Sequence, residues 1–117
     1  MTLRPANITL DCDQPLTVAA FWSAALESKI NDGASEFFAS ISHGPSGMNF
    51  FFIKVPEPKA GKNRLHIDYE APDPAAEIER LIGLGATTVA EKSEWGHEWT
   101  TLADPEGNEF CISVPHN

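Results

Sequence analysis

His66, with Asp68 two residues on, is the residue of this 117-residue chain whose type and placement point most directly to chemistry. Leu65-His66-Ile67-Asp68-Tyr69-Glu70 alternates, so His66, Asp68 and Glu70 share one side of an extended segment. A same-facing carboxylate two residues on can orient an imidazole as a base or a metal ligand. The plainer alternative is a histidine hydrogen-bonded within a sheet wall. Further along, Glu109, Cys111 and Ser113 alternate with Phe110, Ile112 and Val114, giving a mixed face behind an apolar one. No Lys or Arg adjoins Cys111 to lower its pKa, so it reads as a small buried hydrophobe, with His66 as its alternative spatial partner. Trp95 and Trp99 flank Gly96-His97 and supply either a cap on the core or stacking walls for a flat ligand. His43 and His97 fall in loop sequence and read as solvated. No phosphate loop, CxxC pair or nucleophile elbow is present.

The elements that would position these groups read as follows. Asn7–Cys12 alternates as a strand; Asp13 is a candidate N-cap, and Pro15 suits a first helical turn. Val18, Phe21, Trp22, Ala25 and Leu26 then recur at helical spacing. Strands are expected over Glu36–Ser42 and Met48–Val55, with a loop at His43–Gly47 between them. Phe50, Phe51 and Phe52 put aromatic mass on both faces of the second of these. Pro56–Asn63 is a connector whose two prolines exclude helix and central strand. After Leu65–Glu70, Pro74 opens a second helix through Ala75, Ile78, Leu81 and Ile82, which Gly85 ends. Thr88–Lys92, a loop at Glu94–His97, a strand over Glu98–Ala103, the turn Asp104-Pro105-Glu106-Gly107-Asn108 and a last strand complete the chain.

The two halves repeat one plan. Asn7 and His66 each open a strand, Pro15 and Pro74 follow at equal distance, and Leu26 and Leu84 close the helices within a residue of the same register. The expected fold is α+β: two βαβββ modules forming a curved mixed sheet, helices on the convex side, and a concave ligand cup. The expected boundaries are 1–56 for module one, 57–63 for the linker and 64–117 for module two.

A formal charge of −9, from 17 acidic and 8 basic residues, excludes nucleic acid as a natural partner. Asp11, Asp68, Glu70 and Glu109 fall on the cup-facing parity, and an acidic cup would favour a cationic ligand. No apolar run reaches membrane-spanning length, and Met1–Ala6 lacks a signal-peptide core. Cys12 and Cys111 make no disulfide framework, so a cytoplasmic protein with reduced thiols is expected.

Four stretches together resemble the vicinal oxygen chelate superfamily of glyoxalase I, extradiol dioxygenases and bleomycin-resistance proteins. They are Asp13-Gln14-Pro15 with Ala20-Phe21-Trp22 and Ala25-Leu26; Lys62–Asp68; Glu79-Arg80-Leu81 with Leu84-Gly85-Ala86; and Asp104–Phe110. The set spans nearly the whole chain in order. The resemblance is strongest to small glyoxalase-like domain proteins. Metal-dependent members place His or Glu ligands on the first strand of each half and on the last strand. Carried over, those positions are Asn7, His66 and Cys111, not Glu109. Glyoxalase I also uses a glutamate late in the first half, where Asn49–Ile53 offers no carboxylate. Only His66 fits the usual set, so the expectation is no metal and no other cofactor.

The implied function is small-molecule binding in an acidic, aromatic-walled cup lined by Asn7, Thr9, His66, Asp68, Trp95, Trp99 and Cys111, for a cationic or aromatic ligand. Two alternatives stand beside it: a metal-dependent lyase, isomerase or dioxygenase, and a metal-free enzyme using His66 as base with Asp68 orienting it. A homodimer is implied by the resemblance, and half-open sheets leave edges that need covering.

Overall fold

A computed structural model describes residues 3, 5–42 and 48–115. The chain divides into two compact units, Met1–Pro58 and Lys59–Asn117. The loop expected at His43–Gly47 lies outside the described residues.

The first unit runs β1 (Asn7–Cys12), α1 (Pro15–Leu26), β2 (Phe38–Ser42) and β3 (Asn49–Lys54). β3 lies between its neighbours, parallel to β1 and antiparallel to β2. Phe50, Phe52, Ala39 and Ile41 form its buried side, and α1 supplies Val18, Ala19, Phe21 and Trp22 to the same core. Trp22 stacks on Phe50 with centroids 6.3 Å apart. The other side carries Asn7, Thr9 and Asp11 beside Asn49, Phe51 and Ile53, then Ser42, Ser40 and Phe38. Phe51 is half-buried there, edge-on to Phe38 at 5.2 Å, so aromatic mass does stand on both faces.

Asp13 does not cap α1. Gln14 holds the N-cap position without a side-chain cap bond, while Lys54 Nζ draws Asp13 away by donating to its carbonyl at 2.8 Å and its Oδ1 at 3.4 Å. Pro15 is buried at the first helical turn, where its missing N–H costs no bond. After α1, the strand that a full βαβββ plan requires is reduced to one bridge, Ile30 to Ile41. Asn31-Asp32-Gly33 follows at once, and Gly33 turns the chain at φ +94°.

The second unit carries the plan in full: β4 (Ile67–Glu70), α2 (Pro74–Leu84), β5 (Thr87–Glu94), β6 (His97–Ala103) and β7 (Glu109–Ser113). Its sheet order is β4-β7-β6-β5, with only the β4–β7 pair parallel. Asp73 caps α2, its Oδ1 accepting from Ala76 N at 3.3 Å, and Gly85 at φ +125° ends it. Ile67, Tyr69, Phe110, Ile112 and Leu102 share the sheet face on the α2 side, and Phe110, Ile112 and Leu102 are buried. The segment expected as a loop at Glu94–His97 is a two-residue turn. Glu94 pairs with His97, and Trp95 and Gly96 both take positive φ, +53° and +77°. β5 therefore runs beyond the expected Thr88–Lys92, with a register shift between Thr88 and Ala90. Among the described residues, no helix is long and apolar enough to cross a membrane.

Candidate ligand-binding site

The site begins with a turn. Asp104 is 3% exposed. Its Oδ1 accepts from Glu106 N and Asn108 N, both at 2.9 Å, and its Oδ2 from Asn108 Nδ2 at 3.2 Å. Gly107 supplies φ +87°, and its N–H donates to the Asp104 carbonyl at 2.9 Å. The turn fixes the register that follows it. Ala103 meets Glu109 and Thr101 meets Cys111. On the other flank of β7, Asp68 meets Cys111 in the parallel ladder with β4. Asp68, Cys111 and Thr101 therefore lie in one row across three strands, on the face turned away from Phe110 and Ile112.

His66 stands one residue before β4, and its Nε2 lies 3.3 Å from Asp68 Oδ1. One ligand atom each from His66, Asp68 and Cys111 falls within 4.8 Å of the others. His66 and Asp68 are exposed and Cys111 is buried, so the cluster is a thiol floor beneath two solvated groups. Thr101 Oγ1 lies 3.3 Å from Cys111 Sγ. Burial pushes the Cys111 thiol above its ordinary value, and the charge of Asp68 and a hydrogen bond to it push the same way. The Thr101 hydrogen bond and the Lys62 charge pull less strongly downward. The thiol is therefore protonated at neutral pH and is no ready nucleophile.

Glu109, expected as a cup-facing acid, is neutralised. Lys62 pairs with its carboxylate, and Asn63 Nδ2 donates to its carbonyl at 3.2 Å. The connector is thereby tied to the start of β7. Asn7 and Thr9 lie together on the open side of the first unit's sheet, Asn7 Nδ2 donating to Thr9 Oγ1 at 3.0 Å. Trp95 and Trp99 stack on one another at 6.4 Å and 11° near the β5–β6 turn. Of the predicted residues in the second unit, His66, Asp68 and Cys111 bring dissimilar donors together. Thr101 was missed in the sequence reading. Counting back across the Asp104 turn from Cys111 would have found it.

The donors suit a borderline-soft divalent cation. Two ligands each about 2.0 Å from a tetrahedral zinc ion stand about 3.3 Å apart, which matches the His66–Asp68 separation of 3.3 Å. Asp68 is the third donor that the carried-over positions did not include. A cation would also invert the thiol's preference, since coordination stabilises thiolate.

Each unit sets one helix beside a mixed sheet, which makes the fold α+β. Residues 7–113 match the model of the glyoxalase-like domain family, and the chain belongs to that family. No functionally curated protein matches it by sequence. Among solved structures it is similar to the fosfomycin resistance protein FosX of Listeria monocytogenes, in a mutant complexed with Mn(II) and 1S,2S-dihydroxypropylphosphonic acid. That match has a TM-score of 0.81 and 13% identity, covering 99% of this chain and 93% of that one. A glyoxalase/bleomycin resistance protein/dioxygenase family enzyme of Burkholderia phytofirmans matches with a TM-score of 0.75 at 17% identity, covering 93% and 96%. The bleomycin-binding protein of Streptomyces verticillus, complexed with copper(II)-bleomycin, matches with a TM-score of 0.67 at 14% identity, covering 99% of each chain. At these identities the likeness concerns the fold.

Proposed function

We propose that this protein binds a small molecule on the open face of its second sheet, at His66, Asp68 and Cys111. The observation that carries the reading is the convergence of an imidazole, a carboxylate and a thiol within 4.8 Å, two of them open to solvent. The bleomycin-binding and fosfomycin-resistance proteins of like fold support a small-molecule ligand. Asp68 and Glu70 make this face acidic and favour a cationic or aromatic-cationic compound. A cytoplasmic homodimer belongs to the same reading.

The donor geometry favours a second version, in which His66 Nε2, Asp68 Oδ1 and Cys111 Sγ hold a divalent cation. Such a cation would supply Lewis-acid polarisation of a ligand oxygen at an open fourth position. His66 would then be a ligand, not a base.

One experiment separates the versions. Untagged protein is dialysed against chelator, analysed for metal and titrated with cobalt(II). A thiolate-to-cobalt absorption band at one equivalent, absent in Cys111→Ser, supports the metal version. Metal far below one equivalent, unchanged by refolding with divalent ions, removes it and leaves direct binding. Direct binding is read as thermal stabilisation by cationic aromatic compounds that His66→Ala and Asp68→Asn weaken. No stabilisation by either route would sink the proposal.

A further inference from the structure

The opposite face of the second sheet carries a groove that the His66 cluster does not use. On this face Glu91 and Ser93 of β5 stand beside Thr100 and Glu98 of β6, and Thr100 stands beside Ile112 of β7. α2 covers the face only in part. Of its side chains only Leu81 is buried, and Ile82 is 46% exposed. Between the first turns of α2 and the strands lies a cavity of about 630 Å³, within the range of small-molecule sites. Its apolar wall is Pro74, Ala75, Ile78, Ile112 and Val114, and Glu91 and Glu98 line its hairpin end.

Those carboxylates are diagonal neighbours on adjacent strands, and neither has an ion-pair or hydrogen-bond partner among the described residues. Like charges so placed repel. Lys92 and His97 also border the groove but belong to the other side of the ladder, one residue out of phase. Trp99 borders the groove too, but it pairs with Lys92 on the Cys111 side of the ladder, where Trp95 stacks on it while remaining 83% exposed. An apolar wall ending in two unpaired carboxylates on the same face has the form of a receptor for an organic cation.

The geometry points to a second binding site here, for a small organic cation with an aromatic or apolar body and an amidine, guanidine or amine head. The head meets Glu91 and Glu98; the body lies against Ile78 and Ile112. A second copy of the chain is a poor occupant, because at net charge −9 it brings more of the groove's own sign. The inference stands apart from the proposed function, since the two sites lie on opposite faces of one sheet.

The test is amide NMR of the full chain titrated with benzamidine, with neutral benzamide as the isosteric control. Shifts are expected at Ala75, Glu91, Glu98, Thr100 and Ile112, with benzamide binding at least about fivefold more weakly. Glu91→Gln and Glu98→Gln should each weaken benzamidine severalfold, with Tm unchanged or raised because a repulsion is relieved. Three results would overturn it: equal affinity for benzamide, shifts confined to His66, Asp68 and Cys111, or a dimer by light scattering that Ile78→Glu dissociates.

Discussion

Replacing Asp104 by alanine should cost more stability than any exposed substitution, and should loosen the His66 cluster with it. The side chain is buried and accepts three hydrogen bonds, two from backbone N–H groups at 2.9 Å and one from Asn108 Nδ2 at 3.2 Å. Bonds to a charged acceptor are worth about 1.5–3 kcal/mol each when donors are left dry. Glu106 and Asn108 are half-buried, so water recovers part of that. The net cost of Asp104→Ala is then about 3 kcal/mol, a large fraction of the ~5–15 kcal/mol that holds a domain together. With a urea slope of about 1.5 kcal/mol/M the midpoint falls by about 2 M. Asp104→Asn keeps the Oδ1 acceptor and should cost only about 1 kcal/mol. Circular dichroism against urea reads both. Because the turn sets the Thr101–Cys111 register, Asp104→Ala should also weaken cobalt binding while Asp104→Asn spares it. A loss below about 1 kcal/mol for the alanine variant would refute the claim that this carboxylate organises the turn.

Gly107→Ala should destabilise by about 1–2 kcal/mol, because φ is +87° there and an added Cβ would also sit 3.4 Å from Lys59 Cδ. A thermal melt checks it, and Gly61→Ala, with open space around its Cβ, is the neutral control. In a Cys12→Ser background, iodoacetamide should label Cys111 far more slowly than the same thiol in urea, the gap narrowing as pH rises through the folded thiol's raised pKa. The sign follows from linkage: a raised folded pKa gives stability that is full below the unfolded thiol pKa and lost as pH climbs through the folded one. Stability that rises with pH across that window in wild type relative to Cys111→Ser would contradict it.

The parity of the site strands was legible because alternation survives in Leu65–Glu70 and Glu109–Val114, where one face meets a core. That is why His66, Asp68 and Cys111 emerge on a common side. The ladder that sets Asp68 against Cys111 was not legible. It joins parallel strands distant in sequence, and its register is imposed by the Asp104 turn acting through β6 and β7. The β5–β6 connection reads as a longer loop in the sequence because Trp95 stands where hairpin chemistry favours Asn, so the usual two-residue-turn signal is lacking. The reduced strand at Ile30 is explained by turn residues crowding the end of α1, a local cause that the repeat pattern obscured.

The thiol at Cys111 makes one more behaviour calculable. The Cys111 thiol stands beside the Asp68 carboxylate without repulsion because its raised pKa keeps it neutral. A coordinating cation needs thiolate, so each cation bound must expel one proton from Cys111. Between about pH 7 and 8, below the thiol's raised pKa, that proton should make zinc affinity climb about tenfold per pH unit. Cys111→Ser should be weaker and nearly flat with pH, because its hydroxyl has no proton to release in that range. Calorimetry in two buffers of different ionisation enthalpy counts the proton directly. A wild-type affinity that stays flat between those pH values, or a release of no protons, would mean that zinc is held without the sulfur, and the three-donor site would fall.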